Sequence, residues 1–154
     1  MAVPKPMLDA RGKWQGKSRL HLSWLPEDQR ITESESDLVV AADPNCAYAT
    51  VKYTWVHEGK AQSGLLLVAA GENGDASGGW ADSWHQSGGV LALKGAGPDD
   101  GPLRLTGSYS AGEPPEWGWR IEVESSESEL VLRMINITPD GDEEWAVEGR
   151  YQKI

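Results

Sequence analysis

The 154-residue chain has a single cysteine, Cys46, so no intramolecular disulfide can form. That excludes a disulfide-stapled secreted scaffold and suits a reducing compartment. Cys46 itself reads as a small buried apolar residue. Long apolar runs are also missing. The run from Gly64 to Ala70 is strand-sized, and nothing approaches the ~20 residues that cross a bilayer as a helix. The opening Met1-Ala2-Val3-Pro4-Lys5-Pro6 has no apolar core, so it does not read as a signal peptide. The expectation is a soluble, cytoplasmic protein with no membrane partner. Positive charge is scarce: 14 Lys and Arg stand against 24 Asp and Glu, for a formal net charge of −10. The basic patch that phosphate backbones demand is absent, which argues against a nucleic-acid partner. Helical periodicity is lacking too, apart from one short turn at residues 5–11.

What the chain has is punctuation. Eighteen Gly and nine Pro recur in clusters such as Asp43-Pro44-Asn45, Gln86-Ser87-Gly88-Gly89 and Pro139-Asp140-Gly141-Asp142. These residues favour tight turns through positive φ or a preset φ. Strand-length segments with a period of two lie between them, at roughly 14–25, 37–42, 46–57, 60–70, 77–86, 89–95, 102–110, 116–124, 129–138 and 143–153. Residues 1–11 read as a lead-in and 26–36 as a loop. Parallel pairs would need long crossovers, and none are available. The fold class predicted is all-β: one antiparallel up-and-down barrel of about ten strands spanning 1–154, with little or no helix. Closure would remove the two edges of so wide a sheet.

Two stretches carry tryptophan on every second residue: Trp80-Ala81-Asp82-Ser83-Trp84-His85 and Trp117-Gly118-Trp119-Arg120. Alternation along a strand puts each pair on one face. Asp82 falls among indoles on that face, and a carboxylate there needs donors or a ligand. The predicted inward rows are Trp80, Asp82 and Trp84, then Trp117 and Trp119, with Tyr53, Trp55 and Tyr109. Packed aromatic core is the plainer reading of the same rings. A turn cap, or a pairing with Arg120 or Arg104, is the plainer reading of Asp82. Arg120 should point outward to Glu122 or Glu148. His21, His57 and His85 are widely spaced and form no metal-ligand motif. Asp82, Ser83 and His85 have the residue types of a hydrolytic triad, but neighbours on one strand face opposite sides. No catalytic residue, metal or cofactor is assigned.

Gly12-Lys13-Trp14 near the start, with Arg150 in the last strand, resembles the calycin signature of lipocalins and fatty-acid-binding proteins. Trp80-Ala-Asp-Ser-Trp-His, Gly107-Ser-Tyr, Gly118-Trp119-Arg120, Pro139-Asp-Gly-x-Glu and Val147-Glu-Gly-Arg-Tyr151 look like a bacterial family of small calycin-like barrels, domain-of-unknown-function family fifteen-seventy-nine. The likeness runs from about Leu8 to the C-terminus and is poor over 26–50. It implies a closed barrel with an interior cavity, no activity to carry over, and a barrel floor built from Gly12, Trp14 and Arg150, the guanidinium lying across the indole. The function expected is binding of a small apolar or aromatic ligand inside the barrel. A filled barrel acting as a structural or interaction protein, as a homodimer, is the alternative. An enzyme using Asp82 comes third.

Overall fold

The computed structural model describes residues 3–86, 88–98 and 101–154. A short helix, α1 (Lys5–Asp9), precedes ten strands: β1 (Gly12–His21), β2 (Ile31–Ala42), β3 (Tyr48–His57), β4 (Lys60–Ala70), β5 (Asp75–Asp82), β6 (Leu91–Ala96), β7 (Leu103–Tyr109), β8 (Trp117–Ser125), β9 (Glu129–Ile137) and β10 (Glu143–Lys153). Every strand pairs antiparallel with its neighbour in sequence, and β10 pairs back onto β1, which closes the barrel. The up-and-down barrel expected from the sequence is therefore the fold. Among the described residues, no helix is long and apolar enough to cross a membrane.

One element differs from the expectation. Residues 31–36 belong to β2 rather than to a loop over 26–36, and Ile31 to Ser36 pair with His21 to Gly16 of β1. The inward positions there are Ser34 and Ser36, so the apolar alternation that marks other strands is missing. Ser36 is buried all the same. Its hydroxyl donates to the Thr54 carbonyl at 2.6 Å and shares a 2.8 Å hydrogen bond with the Tyr151 hydroxyl.

The two ends of the barrel differ in chemistry. Leu38, Val40, Ala49, Val68, Leu103, Val123 and Leu130 fill the end where β1 starts, all nearly inaccessible to solvent. α1 closes this floor, burying Met7, with Val3 and Ala10 beside it. Trp14 stands on the floor, 1% exposed, and its indole donates to the Ala10 carbonyl at 2.8 Å. The cation over that indole is Lys153, with Nζ 5.3 Å from the ring centroid, and not Arg150 as the resemblance implies. The alternation of β10 turns Gly149 and Tyr151 inward, so Arg150 points out, where it pairs with Glu129 and Glu148. Lys153 reaches back from the strand end and also donates to the Arg11 carbonyl at 2.8 Å. Gly12 lies under this side chain at φ +132°, a conformation that costs glycine least.

At the opposite end the inward residues are large aromatics, and a row across three strands organises them. Tyr53 on β3 faces Gly64 on β4, and Gly64 faces Asp82 on β5. A Cβ on Gly64 would lie 2.1 Å from the Tyr53 hydroxyl, so the tyrosine ring occupies the space a side chain would take. The outer faces of β7 to β10 carry an ion-pair network. Arg120 meets Glu122 at 2.7 Å and both oxygens of Glu143 at 2.8 Å. Arg120 thus points outward as expected, toward Glu122 and Glu143 rather than Glu148.

Candidate site at the barrel mouth

β5 ends at Asp82, and the chain then turns through residues 83–86 instead of continuing as strand. Asp82 causes the turn. Its Oδ1 accepts hydrogen bonds from the backbone N–H of Trp84 at 2.8 Å and of His85 at 2.9 Å, while Gln86 N–H reaches the Asp82 carbonyl at 2.9 Å. A short carboxylate accepting amides two and three residues on is a strong turn former. The turn folds the His85 side chain back over Asp82, with Nδ1 3.3 Å from Oδ1. The second oxygen, Oδ2, accepts from the Tyr53 hydroxyl at 2.6 Å, and that hydroxyl in turn accepts from the Trp80 indole at 2.9 Å.

The Asp82 side chain is 1% exposed, yet each carboxylate oxygen has a donor. Burial pushes its pKa up. The hydrogen bonds from the His85 side chain, Tyr53 and the His85 backbone outweigh that and hold it at about 2. Asp82 is therefore a buried anion at neutral pH. Tyr53 responds in the opposite sense: burial, then the neighbouring Asp82 charge, raises its pKa well above the ordinary phenol value. It stays a donor.

Four tryptophans enclose the His85 imidazole. Ring centroids lie 5.6 Å away for Trp55, 5.7 Å for Trp80, 4.7 Å for Trp84 and 5.5 Å for Trp119. Trp80 and Trp119 stack at 5.2 Å with 11° between planes, and Trp84 meets Trp55 edge-on at 5.8 Å. The Trp55 and Trp119 indole N–H groups are buried without a hydrogen-bond partner among the described residues. Above this cluster is a recess of about 230 Å³, open to solvent and walled by Trp84, His85, Tyr109, Trp119 and Trp145, with Trp24 at the rim. Trp24 is 72% exposed. Tyr109 donates to Asn136 at 2.5 Å, which fixes it on the wall. Opposite, His21 stacks on Trp145 at 4.6 Å, and Arg19 lies 5.5 Å from the same indole. Below it lies a void of about 10 Å³ among Tyr53, Trp55, Asp82 and His85.

The residues anticipated from sequence fall into three groups. Trp80, Trp84, Tyr109 and Trp119 line the mouth recess. Tyr53, Trp55 and Asp82 lie beneath it, around the small void. Trp117 is half-buried at the start of β8, outside both linings. The plainer reading of Asp82, a turn cap, describes its backbone contacts. Because the strand stops at Asp82, His85 does converge on it, while Ser83 points away to Gln62 at 2.7 Å. In β10 a register shift between Trp145 and Val147 accompanies the stacking of Trp145 on His21.

Fold and site together define a closed ten-strand antiparallel barrel, compatible with a calycin-like fold, plugged at one end and open at an aromatic mouth. No family model matches the chain, and no curated protein matches it.

Proposed function

We propose that the protein binds a small, planar, largely apolar molecule in the mouth of the barrel. The observation that carries this reading is the recess of about 230 Å³ walled by indole rings, with the exposed Trp24 at its rim. Exposed tryptophan beside a concave apolar wall is surface that a flat ligand covers well. The volume falls below the ~300–1,000 Å³ of sites for drug-sized ligands, which restricts the occupant to one or two rings. The site is the mouth rather than the barrel centre, where the side chains leave no comparable space. Kinship with the calycin-like bacterial family, and a cytoplasmic location, belong to the same reading. The closed barrel and the Gly12-Lys13-Trp14 floor support the first.

Native mass spectrometry of the purified protein, with tryptophan quenching across a panel of one- and two-ring compounds, tests the proposal. A saturable ligand that Trp84→Ala weakens by about tenfold, on the order of one aromatic contact, is the supporting result. Saturable binding that Trp84→Ala and Tyr109→Ala leave untouched would place the site elsewhere.

A second reading rests on the outer face of β2 to β4, where Val39, Leu65 and Leu67 are 38%, 36% and 42% exposed. Apolar side chains on one sheet face suit self-association as a homodimer. Analytical ultracentrifugation of the native chain and Leu67→Lys decides it: a concentration-dependent dimer lost in the variant supports this reading, and a monomer throughout rejects it.

A further inference from the structure

Resting on the mouth-binding reading, we propose that His85 is the recognition group of the recess and that its ligand is a planar aromatic bearing an acidic O–H, a phenol. The inference starts from the proton on the ring. Asp82 is an ionised acceptor with no proton to give, and it faces Nδ1 at 3.3 Å. Two lone pairs do not face each other, so an imidazole in its neutral form carries its proton on Nδ1. Nε2 is then left as an acceptor. Among the described residues the ring's hydrogen bond is the one between Nδ1 and Asp82. The ring lines the recess and its side chain is 12% exposed there. The turn hydrogen bonds to Asp82 and the four surrounding indoles leave it little freedom.

The walls select the rest of the ligand. Trp84, Trp119 and Tyr109 offer ring faces and edges, which a flat aromatic fills and an aliphatic alcohol does not. Charge disfavours the carboxylate alternative. Glu144 lines the same recess, and the chain carries a net charge of −10, so an anion meets repulsion. A neutral phenol avoids that and supplies the one donor Nε2 requires. The bond is a shared proton between the phenol oxygen and Nε2; no covalent bond is made or broken.

Two probes of matched shape test this, 3-nitrophenol and 3-nitrotoluene, which differ in a hydroxyl against a methyl group. Both quench indole fluorescence, and the titration is run where the free phenol is protonated. The native chain should bind the phenol about tenfold more tightly, the effect of one hydrogen bond to a buried ring nitrogen. His85→Phe should bind both probes alike. In the native chain the 15N resonance of His85 Nε2 should move with 3-nitrophenol and stay put with 3-nitrotoluene, a readout that needs no variant to fold. Equal affinity of the native chain for both probes, or a preference that survives in His85→Phe, overturns the role of His85 while leaving the aromatic recess standing. Failure of both probes to bind overturns the mouth-binding reading and this inference with it.

Discussion

The Tyr53 hydroxyl donates a 2.6 Å hydrogen bond to Asp82 by laying its ring across Gly64, the residue that separates them in the sheet. Three consecutive strands thus contribute a donor, a gap and an acceptor at one level of the barrel. The same hydroxyl takes the Trp80 N–H at 2.9 Å, so one phenol holds both the carboxylate and an indole under the site.

Tyr53→Phe removes that phenol oxygen and nothing else. Asp82 loses one donor and the Trp80 indole loses its acceptor, both in the buried interior. The expected cost is about 1–3 kcal/mol, the penalty for leaving a buried polar group unpaired. Urea denaturation of the native chain and the variant measures it. An unchanged midpoint would mean that the hydroxyl is dispensable.

Gly64→Ala should be worse, although alanine suits a strand better than glycine does. Its Cβ would meet the Tyr53 ring at 2.1 Å, so the ring must leave and break its bond to Asp82. A loss of about 3 kcal/mol is expected, above the usual ~1–3 kcal/mol of overpacking because a buried hydrogen bond goes too. The double variant Tyr53→Ala, Gly64→Ala identifies the cause. If the ring is the obstacle, the second alanine costs far less than it does alone, and the cycle shows a coupling of at least about 1 kcal/mol.

Asp82 also sets a pH dependence. Its folded pKa of about 2 lies below the ~3.9 of an unfolded aspartate, so the unfolded chain takes up the proton first as pH falls. The stability from this depressed pKa, about 2 kcal/mol, is complete above about pH 5 and drains away as the pH approaches 2. Asp82→Asn should be less stable than the native chain at about pH 6, and the gap should narrow by about 1 kcal/mol at about pH 3. A gap that is constant with pH would show that Asp82 is not held as an anion.

On the floor, Lys153→Met and Arg150→Met separate two basic residues three positions apart. Lys153 sits over Trp14 and holds the Arg11 carbonyl. Its loss should cost about 0.5–1 kcal/mol and shift the Trp14 indole N–H resonance. Arg150 makes exposed ion pairs, and such pairs contribute about 0–1 kcal/mol. Its replacement should leave the Trp14 resonance in place. The opposite pattern would restore the arginine to the floor.

The barrel is legible in the sequence wherever the inward residues are apolar. Val51, Tyr53 and Trp55 on β3, and Trp119, Ile121 and Val123 on β8, announce their strands because burial and alternation coincide. β2 is only half legible, since Ser34 and Ser36 occupy inward positions and a polar inward face looks like a loop. The site is less legible still. Period-two reasoning carries Trp84 and His85 along a strand that Asp82 has already ended, so it sends His85 to the wrong side. The cue was present: an aspartate followed closely by Ser87-Gly88-Gly89 has the composition of a turn starting early. The cation over Trp14 follows the period-two rule directly. The alternation that turns Arg150 outward puts Lys153, two residues beyond the inward Tyr151, on the face toward Trp14, its partner in the β1–β10 register.

The plug at the floor has a kinetic meaning. With α1, Met7 and Trp14 sealing one end and a ring of hydrogen-bonded strands around the side, the recess at the indoles opens at the opposite end, past Trp24. For the ligand proposed above, arrival and departure would share that opening, so exchange would proceed one occupant at a time, at a pace set by the rim.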